Sequence, residues 1–545
     1  MPVIPKLRHV NGDRWKNDFK NAPTFGAAVA RWANLYGERE ALVVGDIRIS
    51  YRQMYERSCR VAAFLLDVGL KKDDAVLFRM GNSDRFAYAF FGMLIIGARP
   101  IMLRAENRAE EAKALAELIE PTMLITLDEH LGESSQGFIA ELRESCPSLK
   151  SFLLESQLTA AAHDASWNLA DCEHETEDDT WNFDEMRPEA PEEGDSISYF
   201  LLSGGTTGVP KVIPVKPGVT LFSAACYADL GELTCDDRCL MVLSAPVNFS
   251  MCCDTICAFV SGGTLVMCPE PSPAVILNLI AKEKITRTTL APAVARLCIA
   301  YRLVDDSDDI SALRYVIEGG SEVPPDLVRD TNDVLGAKVM NAYGLTEGFY
   351  SATYLDDERV MQGLCQGCVP GYVMRVVDAN GNELPNGELG EFQFKGGIRL
   401  SGYYRNPEAN AEAITEDGFY RTGDLAYITD DGYVAVRGRF KDQINRGGVS
   451  VMPEAIESDV RKHELVSDCI AIGAPDEILG QRIACFVITS SPIDRYTLLA
   501  DLRAMGISEH HIPDDVIFVE SYPKTPNQKV DKKQLLASLA EGDGE

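Results

Sequence analysis

The feature that most constrains this chain is a repeated switch of hydrophobic period. "TFGAAVARWANLY" (24–36) carries apolar residues at helical spacing, "EALVVGDIRISY" (40–51) has strand character, and "YRQMYERSCRVAAFLLDVG" (51–69) returns to helical spacing. Strands and helices that alternate along one chain predict an α/β architecture.

With 545 residues the chain is too long for a single core, so two or more domains are expected. Toward the C-terminus, "DDGYVAVRGRFKDQINRGGVSV" (430–451) reads as two short strands about a charged, glycine-containing turn. Beyond it, "CIAIGAP", "RIACFVITS" and "DDVIFVESYP" are strand-like pieces interleaved with helical ones, enough for a small α+β domain. The expected division is a domain over 1–440 and a second over 441–545. The stretch 171–195 is acidic, aperiodic and holds two prolines, which predicts a solvated linker.

Composition narrows the partners. A formal net charge of -31 disfavours nonspecific binding to nucleic acid or to an anionic membrane. The start of the chain has no apolar run of signal-peptide length, and "YAFFGMLIIGA" (88–98) is too short to span a bilayer, so it reads as a buried helix. The fifteen cysteines are scattered without a repeating frame, which suits reduced thiols and a cytoplasmic protein. "CQGC" (365–368) is a lone CxxC without a second pair, and no metal is assigned to it.

The most informative local string is "YFLLSGGTTGVPK" (199–211). An apolar strand runs into a loop in which Gly204, Gly205 and Gly208 let backbone N–H groups converge on a concavity. Ser203, Thr206 and Thr207 add hydroxyl donors and Lys211 adds charge, a combination suited to phosphate. It lacks the spacing and the Gly-Lys-Ser/Thr ending of a Walker loop.

Four further strings follow in order: "NAYGLTEG" (341–348), "YRTGDLA" (420–426), "GRFKDQINRGG" (438–448) and "PKTPNQKVDKK" (523–533). With the glycine-rich loop, this series resembles the ANL superfamily of adenylate-forming enzymes over nearly the whole chain. The resemblance implies a large N-terminal domain and a small mobile C-terminal one. It implies ATP and Mg²⁺, with Ser203 to Lys211 around the β- and γ-phosphates and Glu347, after Thr346, facing the metal. A carboxylate suits a hard cation, and Asp424 with Arg439 would hold the ribose hydroxyls. Gly319, Gly320, Asn341, Ala342, Tyr343 and Gly344 would line the adenine, Tyr343 offering a flat face.

By the same resemblance, Lys529 is the catalytic lysine between the substrate carboxylate and the α-phosphate, where two negative groups must meet. Family members usually have glycine before that lysine; this chain has Gln528. Lys441 falls at the family's hinge, about which rotation would exchange an adenylating face for a thiol-accepting one.

The acid is read from "SAPVNFSMCCDT" (244–255) and "GFYSATYLDD" (348–357). Amino-acid-activating relatives carry aspartate where this chain has Asn248, and a neutral amide cannot offset a buried ammonium. Asn248 followed by Phe249, together with "KDQINRGG", resembles the aryl-acid AMP ligases of siderophore pathways, which activate salicylate or 2,3-dihydroxybenzoate. Val247 stands where those enzymes usually have histidine. On this reading Asn248 meets a 2-hydroxyl, or a nitrogen at that place, benzoate leaves the amide unpaired, and Cys253 with Tyr350 disfavours a 3-hydroxyl. The acceptor is the phosphopantetheine thiol of an aryl carrier protein, with coenzyme A as the alternative. A non-catalytic nucleotide sensor on the same fold is disfavoured because Lys211, Glu347, Asp424, Arg439 and Lys529 are all present.

Overall fold

The computed structural model describes residues 24–167, 197–203, 211–365, 372–396, 402–439, 442, 444–446, 449–476, 478–524 and 530–542. The acidic stretch 171–195 lies outside them. The chain forms two compact units, one of Met1–Val373, Phe394–Tyr420 and Asp431–Tyr433, the other of Met374–Gln393, Arg421–Asp430 and Val434–Glu545.

The larger unit carries an eight-stranded sheet in the order Phe349–Ala352, Lys338–Leu345, Tyr315–Gly319, Arg287–Leu290, Arg238–Met241, Thr264–Met267, Glu40–Val44, Ile47–Ser50. Its six inner strands are mutually parallel and the two edge strands run antiparallel to their neighbours. Thr264–Met267 and Arg287–Leu290 are buried at every position, as strands covered on both faces must be. The helices Pro273–Lys282, Pro292–Val304 and Pro325–Leu335 link or follow these strands, each with proline in its first turn. There the missing N–H breaks no helical hydrogen bond.

A second, six-stranded sheet has the order Val212–Val215, Tyr199–Leu202, Arg99–Arg104, Ala75–Met80, Met123–Thr126, Ser151–Leu154. All but the first strand are parallel to their neighbours. The apolar string expected to be a buried helix is one: Asp84–Ile95 is buried at every residue except Arg85. Ser83 starts it by accepting the Phe86 N–H at 3.1 Å. Its rings continue into neighbouring elements, Phe90 lying 5.5 Å from Tyr199 and Phe91 5.4 Å from Phe259. Each buried aromatic of this kind contributes about 1.5–3 kcal/mol. Among the described residues no helix is long and apolar enough to cross a membrane, and every described cysteine is a free thiol.

The smaller unit contains a sheet of Val449–Val451, Ile444–Arg446, Gly480–Thr489 and Val466–Asp476, with Asp515–Phe518 parallel to Gly480–Thr489. Ile456, Val460, Leu498 and Leu502 from two helices pack on its strands in one apolar cluster. The expectation of two strands within 430–451 is corrected to three. Val434–Arg439 pairs upstream with Tyr420–Ile428, while Ile444–Arg446 and Val449–Val451 form their own hairpin. The alternating run before the charged turn finds its partner behind it rather than across it.

Candidate active site

Parallel strands bring their carboxyl ends to one edge of a sheet, and the loops beyond that edge are where open α/β sheets bind ligands. Three such strands of the eight-stranded sheet, Arg238–Met241, Tyr315–Gly319 and Lys338–Leu345, lead directly into residues singled out from the sequence. Gly319 ends its strand where a Cβ would stand 2.4 Å from the Ala342 carbonyl oxygen and 3.1 Å from the Phe249 ring, so only glycine lets the strands and that ring meet. Gly320 follows with φ +86°, a left-handed conformation natural to glycine. The neighbouring Asn341 is buried and its N–H donates to Thr353 Oγ1 at 3.0 Å. The Tyr343 ring leans on Phe349 at 5.6 Å, and Gly344 is exposed.

The turn after Lys338–Leu345 closes with Gly348 N–H donating to the Leu345 carbonyl at 2.9 Å, setting Thr346 and Glu347 at its tip. Tyr403, which the sequence reading did not single out, organises this end. Its hydroxyl donates to Glu347 Oε1 at 2.9 Å and lies 2.8 Å from the Tyr420 hydroxyl. The Lys211 ammonium sits 4.9 Å from the centre of the same ring, within cation–π range. One phenol therefore touches both the expected phosphate lysine and the expected metal carboxylate. Tyr403 lies in "SGYY" (401–404), a string with no local pattern that marks either tyrosine as a site residue. Burial raises the Tyr420 hydroxyl well above the usual phenol range, so it stays protonated as a donor.

The glycine-rich loop is seen only at its ends. Ser203 N–H donates to the Lys211 carbonyl at 2.9 Å, extending the hairpin of Tyr199–Leu202 with Val212–Val215. Gly204, Gly205, Thr206, Thr207 and Gly208 lie outside the described residues.

On the acyl side, Val247 and Asn248 follow a loop tied down by Asn82, whose amide donates to the Leu243 and Cys268 carbonyls at 3.1 and 2.9 Å and accepts the Ala245 N–H at 2.7 Å. Ser250–Ile256 then forms a π-helix. Below it, fully buried Arg287 reaches Asp254 at 3.3 Å and donates to the Cys253 carbonyl, while Thr289 donates to Asp254 at 2.6 Å. Burial pushes the Asp254 carboxyl up to about 7 against the pull of Arg287. It pushes Cys252 up to about 12 and Cys253 well above the usual thiol range. Both thiols are neutral near pH 7, serving as weak hydrogen-bonding groups rather than nucleophiles.

Asn248 and Tyr350 were expected to meet different parts of a ring. They are bonded to each other instead: the Asn248 amide donates to the Tyr350 hydroxyl at 2.8 Å. Cys252, which the sequence reading passed over, donates to Asn248 Oδ1 at 3.5 Å. The premise that benzoate strands an unpaired amide is corrected by that contact, because Tyr350 already pairs it. The Tyr227 and Tyr350 rings meet edge to face with centres 6.4 Å apart.

Residues 29–404 match the family model of AMP-binding enzymes, and residues 455–529 match that of the AMP-binding enzyme C-terminal domain. The chain is an AMP-binding enzyme of the adenylate-forming superfamily. This AMP-binding enzyme is 34% identical over 517 residues to a salicylyl-CoA synthase / salicylate adenylyltransferase of Streptomyces sp., covering 94% of this chain and 92% of that one. It is 31% identical over 530 residues to the 2,3-dihydroxybenzoate-AMP ligase of Bacillus subtilis (strain 168), covering 96% and 95%. Among solved structures, ATP-bound MatB from Rhodopseudomonas palustris shares the fold with a TM-score of 0.80 at 24% identity, covering 94% of this chain and 98% of that one. The α/β fold with a large AMP-binding domain and a small C-terminal domain is as the sequence predicts.

In the smaller unit of this AMP-binding enzyme, Asp424 and Arg439 are neighbours across the antiparallel pair, with Arg439 Nε 2.9 Å from Asp424 Oδ1. Arg439 also donates to the Thr422 carbonyl at 2.9 Å, and the Thr422 hydroxyl accepts the Asp424 N–H at 3.0 Å. Asp424 is thus a held carboxylate, the form a diol-accepting group needs. Lys441 and Lys529 lie outside the described residues.

Proposed function

We propose that this enzyme uses ATP to activate an aryl carboxylic acid and then transfers the acyl group to a thiol. The carboxylate oxygen attacks the α-phosphorus, pyrophosphate leaves, and the acyl-adenylate forms; a thiolate sulfur then attacks the acyl carbon and AMP leaves. The observation that carries the aryl-acid reading is the neutral wall around Asn248. Its neighbours are the Tyr350 phenol and the Cys252 thiol, and the nearest carboxylate in sequence, Asp254, is engaged by Arg287 and Thr289. An α-ammonium would find no counter-charge in that wall. Relatives named for salicylate and 2,3-dihydroxybenzoate point the same way.

Roles follow by position. Ser203 to Lys211 hold the β- and γ-phosphates, Gly319, Gly320 and Asn341 to Gly344 hold the adenine, and Asp424 with Arg439 holds the ribose. Lys529 bridges the carboxylate and the α-phosphate, and Lys441 is the pivot between half-reactions. Mg²⁺ fits beside Glu347, a partly exposed carboxylate already oriented by the Tyr403 hydroxyl. When bound it supplies charge neutralisation for the phosphates. Tyr403 fixes the carboxylate and flanks Lys211, so both groups are preset before ATP arrives.

The acceptor is the phosphopantetheine thiol of an aryl carrier protein. Coenzyme A is the second reading, favoured by the relative named a salicylyl-CoA synthase. Acid-dependent ATP–pyrophosphate exchange over benzoates, picolinates and amino acids tests the activation step. Preference for an α-amino acid would refute the aryl-acid reading, and thioester analysis with both acceptors assigns the second step.

A further inference from the structure

The polar groups of the acyl wall bond to one another. Asn248 donates to the Tyr350 oxygen at 2.8 Å, and Cys252 donates to Asn248 Oδ1 at 3.5 Å. Tyr350 is also fixed in place. It sits in the edge strand Phe349–Ala352, is 5% exposed, and packs edge-on against Tyr227. Its ring lies 3.5 Å from where a Gly344 Cβ would stand, and the Tyr227 hydroxyl lies 3.9 Å from that same point. The Tyr227 hydroxyl reaches toward the Ser351 carbonyl at 3.5 Å, linking the second tyrosine to the same strand.

We propose that Tyr350 takes the place a substrate's ortho hydroxyl would otherwise fill beside Asn248, so that the enzyme selects an aromatic acid with no hydroxyl ortho to its carboxylate. This rests on the aryl-acid reading above and narrows its substrate class. A ligand hydroxyl entering this wall must displace the Tyr350 phenol from Asn248. One neutral hydrogen bond is exchanged for another, with no net gain. The added oxygen must also be accommodated by a ring packed against its neighbours, which costs binding. An acid with hydrogen at that position meets an amide that already donates to Tyr350. Specificity here is a difference between two acids, and Tyr350 sets its sign.

The experiment compares kcat/KM in ATP–pyrophosphate exchange for benzoate and salicylate, using the full chain and its Tyr350→Val variant. The wild type is expected to favour benzoate at least tenfold. Tyr350→Val, which frees Asn248 and opens volume together, is expected to raise the salicylate-to-benzoate ratio by 100-fold or more. Tyr350→Phe keeps the volume and is expected to shift that ratio less than tenfold. A tenfold wild-type preference for salicylate, or an unchanged ratio in Tyr350→Val, overturns the proposal. Should Tyr350→Val fail to fold, binding of benzoyl- and salicyl-sulfamoyl adenosine to the wild type must give the same ranking, and a tighter salicyl analogue overturns it. Exchange driven only by non-aromatic acids sinks the aryl-acid reading itself, a failure separable from reversed ranking among aromatic acids.

Discussion

Two polar clusters of the larger unit are each built around a tyrosine, and they work in opposite ways. Tyr350 accepts the Asn248 amide, whose oxygen accepts the Cys252 thiol, and it is 5% exposed. Tyr403 instead orients Glu347, a carboxylate that remains partly exposed, and lies beside Lys211. The first cluster is made of neutral side chains, which suits recognition by shape. The second carries charged ones, which suits recognition by electrostatics. On the proposed reading, the difference separates the side that varies with substrate from the side that nucleotide activation requires.

The sharpest way to break the comparison is to attack the support of the neutral wall. Arg287→Ala leaves Asp254 buried without its charge partner beneath the π-helix, and should lower unfolding free energy by about 3–5 kcal/mol. Denaturant unfolding with intrinsic fluorescence reads this; a loss below 1 kcal/mol would mean that the ion pair does not anchor the wall. Next in size, Glu347→Gln should lower acid-dependent pyrophosphate exchange about 100-fold, roughly 2.7 kcal/mol, with stability nearly unchanged. Comparable damage to both stability and exchange would place Glu347 in the structure rather than the chemistry.

Glu318, next to Gly319 at the end of its strand, gives a pH test. It is buried, accepts from Thr331 at 2.7 Å, and is pushed up to about 7 by burial. Its folded pKa lies above its unfolded value near 4.5, so the folded state binds the extra proton and stability falls as pH rises from about 4.5 to 7. Glu318→Gln should flatten that fall by about 2 kcal/mol between pH 5 and 7, and parallel pH profiles for the two proteins would contradict it. The smallest effect is that of Tyr403→Phe, which removes the hydroxyl from Glu347 while keeping the ring beside Lys211. A loss of about tenfold in exchange, with the apparent KM for ATP rising more than kcat falls, is expected; unchanged kinetics would leave Tyr403 a core residue.

Most of the fold was legible because period and burial coincide. "YAFFGMLIIGA" could only be a core helix, and the alternation after residue 25 resolved into parallel strands with helical crossovers. The strand count in 430–451 was missed because pairing partners are nonlocal: Val434–Arg439 joins a strand that precedes it. In the site, residue types suited to phosphate and ribose were visible as strings, and the strands that present several of them are in place. What the strings concealed was contact between side chains far apart in sequence. Asn248 and Tyr350, like Lys211 and Tyr403, are joined only by folding, and nothing in either local pattern announces its partner. Cys253 was singled out by its place in the aryl-acid ligase pattern; that Cys252 is the thiol bonded to Asn248 depends on the phase of the π-turn, which two adjacent cysteines do not reveal.

That π-turn has a consequence for how such enzymes diverge. A π-helix accommodates one more residue per hydrogen-bonded ring than an α-helix. Loss of a single codon within Ser250–Ile256 would let the ladder relax to α-helical spacing, changing which residue that turn presents while the helix on either side keeps its face. The thiol beside Asn248 would be exchanged for a neighbour while the strands beneath stayed unchanged. On the proposed reading of that wall, one deletion would remodel it at a stroke, where point substitution would have to proceed residue by residue.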